Sequence, residues 1–478
     1  MESNEFILKD LQDYCDRDRI IGWDNSSFYQ QTQEYFQYLQ QFKTPPVILL
    51  AESDPFRFLS IFMAAVAARS PLFLGNPDWR DREWHQVWEM IQPDLIFGNS
   101  TKTNKSETKH CSRPIILPKE SYLQFEDLIA IPTGGTSGEI KFCLHSWQTL
   151  KASILGFLNY FNVKKVNSFC ILPLYHVSGL MQFLRSFITK GVFYFRAYKE
   201  LKTNHAISFT PKEFFISIVP TQLQFFLNSD PQWLSHFDTV LVGGAPTQTE
   251  LLETARNSRI RLAPTYGMTE TASQIVTLKP DDFLLGNNSS GQVLPHASVK
   301  ILKTNEGELG KIAIASQSLC LGYYPPDANF TSPYLTDDLG YFDDGGYLHI
   351  IGRNSSKIIT GGENVFPTEV EAAILATQWV SDVCVVGLPD ETWGEVVTAV
   401  CIPTDEKDSI SQLQASLKLK ISKFKQPKHW VKVAQLPRNS QGKVNRQKVK
   451  ELAIARVASL NEAVNLSPSV CIILGSRY

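Results

Sequence analysis

Strand-length apolar runs, each followed by a helix-length segment, recur along the first half of this chain, and that alternation restricts the fold more than any other feature. Residues 47–51 (VILLA) read as a short buried strand, Asp54-Pro55 as a helix start, 56–69 as an apolar helix and PLFLG as the next strand. Strand, helix, strand at this spacing is a βαβ unit, which argues for a parallel sheet. The pattern returns at 169–174 (FCILPL), followed by a helix from Gly179, and at 215–220 (FISIVP), followed by another helix. A third return is 239–244 (TVLVGG), followed by a helix from Thr247. The fold class is therefore α/β, with functional loops expected at strand C-termini. Residues 1–45 read as mixed helices.

After about residue 290 the texture changes. Residues 292–302 and 308–315 alternate as strands, and 340–352, with DDGGYLHIIG, carries a hairpin signature. Strands near 382–388 and 396–402 and helices near 367–377 and 409–422 make a further compact segment. The expected division is 1–354, 355–458 and a loose tail at 459–478. A length of 478 residues also favours more than one domain.

The charge balance, a formal net of -2 with 20% charged residues, lacks the basic excess of a nucleic-acid binder. Eight scattered cysteines without a CxxC pair indicate reduced thiols, with neither a disulfide framework nor a zinc site. The N-terminus is acidic rather than basic-then-apolar. The longest apolar stretch, 58–68, is roughly half of what a bilayer requires, so no membrane insertion and a cytoplasmic location are expected.

Residues 133–141 hold three glycines, three hydroxyl side chains and a lysine. Such a loop can converge backbone N–H groups on phosphate oxygens, with Thr133, Thr136 and Ser137 adding donors and Lys141 a charge. Neither Walker A nor GxGxxG spacing is met. By itself the loop reads equally well as a surface turn. Farther on, 264–271 (PTYGMTET) offers an aromatic face at Tyr266, a hydroxyl at Thr269 and a carboxylate at Glu270 able to hold Mg²⁺. A Thr-Glu pair is also a common helix cap. Residues 242–246 (VGGAP) end a strand, 336–353 run TDDLGYFDDGGYLHIIGR, 357–369 read KIITGGENVFPTE, and 436–446 read LPRNSQGKVNR.

Together, in this order, these segments resemble the signatures of the adenylate-forming enzymes: acyl-CoA synthetases, peptide-synthetase adenylation domains and luciferases. The resemblance covers most of the chain. It implies a large N-terminal domain of parallel-type sheets and helices with a small barrel-like β subdomain, and a small mobile α+β C-terminal domain. It implies a phosphate cradle at Thr133, Gly134, Gly135, Thr136, Ser137, Gly138 and Lys141, with Thr136 also catalytic. An adenine pocket follows at Gly244, Ala245, Pro246, Tyr266, Gly267 and Thr269, with ribose and phosphate contacts from Asp338 and Arg353. Glu270 corresponds to the metal carboxylate, and residues 357–369 to a wall of the thiol tunnel. Lys443 corresponds to the catalytic lysine that steadies charge moving between carboxylate and α-phosphate. The hinge position, often Asp or Lys, is Ser355. Further departures are Ile140 for proline, Phe142 for glycine, Asp337 for glycine and Ser356 for an acidic residue.

PLYHVSGL at 173–180 lies where this family gates its acyl pocket, and it is similar to the form common in o-succinylbenzoate–CoA ligases. The loop and His145-Ser-Trp147 are similar to the photosynthetic-microbe branch of that group. The implied substrate contacts are His176, Ser178, Gly179 and Gly243. The implied partners are ATP with Mg²⁺, coenzyme A and a small aromatic carboxylic acid; a homodimer is allowed. Another aryl- or acyl-CoA ligase, an adenylating enzyme without transfer to CoA, and a pseudoenzyme are the alternatives. The presence of Lys443, Glu270 and Asp338 speaks against the last.

Overall fold

The computed structural model describes residues 5–98, 127–134, 140–203, 207, 209–303, 309–327, 330–361, 363–405, 410–418, 420–438 and 443–466. The chain forms two compact units: residues 1–244, 254–299 and 314–334, and residues 245–253, 300–313 and 335–478.

The first unit carries two sheets. The larger runs in spatial order Ile20–Ile21, Phe193–Phe195, Asn167–Cys170, Phe214–Ile218, Thr239–Val242, Leu262–Met268, Ser273–Thr277 and Gln292–Val293. Its first six strands are parallel, with helices Val177–Ile188 and Pro220–Ser229 as crossovers, and its last two pairings are antiparallel. The second sheet runs Gly322–Tyr324, Ile140–His145, Ile129–Gly134, Leu72–Leu74, Ile48–Ala51 and Leu95–Gly98. Four of these strands are parallel, while Ile140–His145 and Gly322–Tyr324 pair antiparallel at one edge.

Helix Pro55–Ala67 shows why the apolar runs fold this way. The Asp54 side chain accepts from the Arg57 N–H, Pro55 occupies the first turn, and every residue from Phe58 to Ala67 is buried. A helix apolar all round its circumference belongs in an interior. The strand expected over 169–174 instead ends at Cys170. Pro173 has no N–H to give a ladder, and the chain turns there toward the next helix.

The second unit holds most of a four-stranded sheet ordered Ala297–Lys303, Gly310–Ser316, Tyr334–Phe342 and Leu348–Arg353. Its hairpin turn is closed by Asp343, whose carboxylate accepts from the N–H groups of Gly345 (3.0 Å) and Tyr347 (2.9 Å). A further sheet runs Glu363–Val365, Ile358–Thr360, Gly394–Pro403 and Val380–Asp390, with His429–Lys432 also on Gly394–Pro403. Alternation along Gly394–Pro403 sends Val397, Ala399 and Cys401 into one core and Val396 and Val400 into the other, as a sheet covered on both faces requires. Helix Arg446–Leu466 closes the second core with Val449 and Ala453 and continues past residue 459, where the sequence pattern was expected to lapse. No described helix is long and apolar enough to cross a membrane.

Candidate active site

In the first unit the two ends of the glycine-rich segment lie on an antiparallel strand pair, Ile129–Gly134 and Ile140–His145. Thr133 faces Lys141 and Gly134 faces Ile140. Gly135, Thr136, Ser137 and Gly138 lie outside the described residues. The Lys141 ammonium stands 3.2 Å from the Asp327 carboxylate and over the Tyr323 ring, 5.7 Å from its centre.

The 264–271 segment folds as strand Leu262–Met268, bulged between Tyr266 and Gly267, and a single 3₁₀ turn, Thr269–Thr271. The turn is fixed from three sides. The Met268 N–H donates to the Thr271 hydroxyl (3.0 Å), the Cys320 N–H to the Glu270 carbonyl (2.7 Å), and His145 Nε2 to the Thr269 carbonyl (2.8 Å). A carbonyl only accepts, so Nε2 carries the proton, and Nδ1 lies 3.0 Å from the Thr149 hydroxyl oxygen. Burial lowers the His145 pKa to about 4, which keeps the ring neutral in that role. Glu270 is 8% exposed, and its Oε1 accepts a 2.6 Å bond from the Tyr323 hydroxyl. Gly243 and Gly244 follow strand Thr239–Val242, the second at φ +81°. Ala245 and Pro246 are exposed.

His176 caps helix Val177–Ile188 and is buried, its ring 4.5 Å from that of Tyr175. Ser178 and Gly179 form the first turn. A Cβ at 179 would lie 2.1 Å from the Pro173 carbonyl oxygen, so only glycine permits this approach. Two turns on, Arg185 is fully buried, a residue the sequence reading passed over. Its guanidinium donates to the Ser273 hydroxyl (2.8 Å) and Gln274 Oε1 (2.7 Å), and stacks 4.4 Å from the Phe157 ring centre. Its Nε has no partner, and no carboxylate among the described residues pairs with it. Burial pulls its pKa down to about 9, still a cation at neutral pH. Beside Phe157, Gly156 leaves the room that His296 fills: a Cβ there would lie 1.8 Å from Nδ1, and neither ring nitrogen of His296 has a partner. A charged residue within an otherwise apolar helix, MQFLRSFI, was the available signal.

In the second unit Asp338 and Arg353 face each other across neighbouring strands, Oδ1 to Nε at 3.4 Å, with Asp338 the more buried. Ser355 bonds to Asp337. Lys443 is half-buried, three residues before Arg446, which pairs with Glu371 at 2.8 Å. Glu369, at the end of the expected tunnel wall, pairs with Lys425.

Mixed, largely parallel sheets in one unit, an antiparallel sheet and a small α+β sheet in the other, and these motif pairings define an adenylate-forming enzyme. The chain belongs to the AMP-binding enzyme family: residues 38–324 match the family's AMP-binding enzyme model and 369–443 its C-terminal domain model. It is 33% identical over 425 residues to a 2-succinylbenzoate–CoA ligase of Listeria monocytogenes, covering 86% of this chain and 89% of that one. It is 34% identical over 381 residues to the ligase of the same name from a Geobacillus, covering 75% and 76%. Among solved structures, o-succinylbenzoate CoA synthetase from Bacillus subtilis, in complex with the acyl-adenylate OSB-AMP, superposes with a TM-score of 0.75. The two are 22% identical, and the match covers 90% of this chain and 95% of that one. The same Bacillus enzyme has been solved with ATP and a magnesium ion, at TM-score 0.72, 22% identity and 90% and 96% coverage.

Proposed function

We propose that this protein adenylates 2-succinylbenzoate with ATP and transfers the acyl group to coenzyme A, releasing AMP and pyrophosphate. In the first half-reaction the acid's carboxylate oxygen attacks the α-phosphorus and pyrophosphate leaves. In the second the CoA thiol attacks the acyl carbon and AMP leaves. The relatives' shared name supports the acid, and the buried Arg185 carries the reading on this chain's own residues. An unpaired buried cation costs several kcal/mol, so a ligand anion is its natural complement. A dicarboxylic acid supplies one: one carboxylate becomes the mixed anhydride, and the other remains to pair with Arg185. His176, at the head of the same helix, lines the approach to the acid, with Ser178 beside it.

Glu270 suits the Mg²⁺ that accompanies ATP. No cluster of three metal-ligating side chains occurs among the described residues, and a cation that keeps waters and phosphate oxygens needs only one or two carboxylates. When bound, Mg²⁺ neutralises phosphate charge. Lys141 and Lys443 add positive charge for the phosphates and the shifting negative charge of the first step, and Asp338 accepts from the ribose hydroxyls.

The test is pyrophosphate release over a panel of acids, with and without CoA. 2-Succinylbenzoate should give the highest kcat/KM, with a CoA ester as product. A tenfold preference for benzoate, cinnamates or fatty acids would overturn the substrate assignment, and adenylation without ester formation would overturn the transfer.

A further inference from the structure

We propose that Tyr323 is a positioning residue for the Glu270 carboxylate, held in line by Tyr334, and that it sets this carboxylate for Mg·ATP. The inference rests on the reading of Glu270 as the metal carboxylate. Neither tyrosine belongs to a segment singled out in the sequence.

The geometry is directional. Tyr323 pairs with Cys143 on strand Ile140–His145, and its hydroxyl reaches Glu270 Oε1 at 2.6 Å. A carboxylate accepts, so Tyr323 gives its only proton to Glu270. In the 3.0 Å contact between the two phenols, Tyr334 must therefore be the donor. The chain Tyr334 to Tyr323 to Glu270 thus has one sense. Packing fixes both rings: Phe330 lies 5.3 Å from Tyr323 and 5.2 Å from Tyr334, centre to centre. The Lys141 ammonium lies over the Tyr323 ring, 5.7 Å from its centre. One phenol therefore touches both the carboxylate proposed for the metal and the lysine proposed for the phosphates.

A phenol ordinarily titrates at about 10, so both hydroxyls carry their protons at neutral pH. A carboxylate has about four lone-pair sites, so fixing one oxygen restricts its rotation and leaves capacity for a cation.

The experiment measures ATP binding to the full-length protein by calorimetry, in Mg²⁺ and in EDTA, with AMP as the control nucleotide. Tyr323→Phe keeps the ring and removes the donor. It should shrink the Mg²⁺-dependent gain in ATP affinity by about tenfold, as expected for a bond to a charged group. AMP affinity should stay within about twofold, because the variant leaves the nucleoside contacts alone. The Mg²⁺ concentration for half-maximal pyrophosphate release should rise correspondingly. Glu270→Gln separates the two readings. If it abolishes the gain and Tyr323→Phe does not, the positioning role is overturned while Glu270 stands. If neither changes the gain, the metal reading of Glu270 falls and the inference with it. Equal losses for ATP and AMP in Tyr323→Phe would mean a merely structural ring and overturn the proposal. Should that variant not fold, Tyr334→Phe, which spares the Glu270 contact, decides: a fall of about threefold supports the proposal and an unchanged gain overturns it.

Discussion

Asp337 and Ser355 are bonded to each other: the Ser355 N–H lies 3.2 Å from each oxygen of the Asp337 carboxylate, and the Ser355 hydroxyl donates to the same group. These are two of the positions at which the chain departs from its family's pattern. Asp337 stands for the usual glycine, and Ser355 for the usual Asp or Lys at the hinge. The acidic group absent at 355 is supplied from 337. Asp337→Ala should leave the melting temperature within about 2 °C, because Ser355 is exposed, Asp337 is only half-buried and such bonds are worth roughly 1 kcal/mol. The same change should shift the ratio of adenylation to thioester-forming rates by roughly threefold to tenfold, since the bond would restrain the backbone at the proposed hinge. An unchanged ratio would remove Ser355 from that role.

Glu371 is half-buried beside Arg446, which also donates to the Val385 carbonyl at 2.8 Å, and this pair anchors the chain three residues beyond Lys443. Glu371→Ala leaves a half-buried cation without its partner and should destabilise the second unit by roughly 1–3 kcal/mol, read by chemical denaturation. Replacing both residues with apolar ones of similar volume should restore much of that stability, while adenylation stays slow because the lysine loop has lost its anchor.

Acid should weaken the fold through His145. Its folded pKa of about 4 lies below the usual value near 6.5, so the unfolded chain takes up a proton first as pH falls. The stabilising effect is full above about pH 6.5 and is lost as pH drops toward 4, for a total of order 3 kcal/mol. His145→Asn should flatten that part of the stability–pH curve. A parallel, unflattened curve would show that other groups control it.

Arg185→Leu should cut kcat/KM for 2-succinylbenzoate by at least about a hundredfold through lost ion pairing. Mono-acids lacking one of the two carboxylates, such as 3-benzoylpropionate, should change by less than about fivefold. Equal losses for diacid and mono-acid would remove Arg185 from substrate recognition.

The legible and illegible parts of this molecule divide along physical lines. Local patterns gave the helix at Asp54-Pro55, the hairpin within 340–352 and the strands near 382–388 and 396–402, because capping, turn chemistry and alternation are written in neighbouring residues. The antiparallel edge pairings were not legible, since strand direction depends on partners distant in sequence, as when Gly322–Tyr324 joins Ile140–His145. Arg185 and Tyr323 were missed for the same reason. Each acquires its meaning from a group many residues away, Gln274 for one and Glu270 for the other. The Asp337–Ser355 bond also shows two separate oddities of sequence to be one feature.

Lys443→Ala tests the two-step account most directly. Lys443 is assigned to the first half-reaction alone, because charge moves between the acid's carboxylate and the α-phosphate there, and the hinge turn implied by the family resemblance removes the lysine before the thiol attacks. Two assays on the one variant measure this: pyrophosphate release from ATP and acid, and CoA ester formation from presynthesised acyl-adenylate. The first should fall on the order of a hundredfold or more, and the second should stay near the wild-type rate. If both fall by a similar factor with the fold intact, Lys443 acts in both steps and the separation fails; if neither falls, Lys443 is not the catalytic lysine.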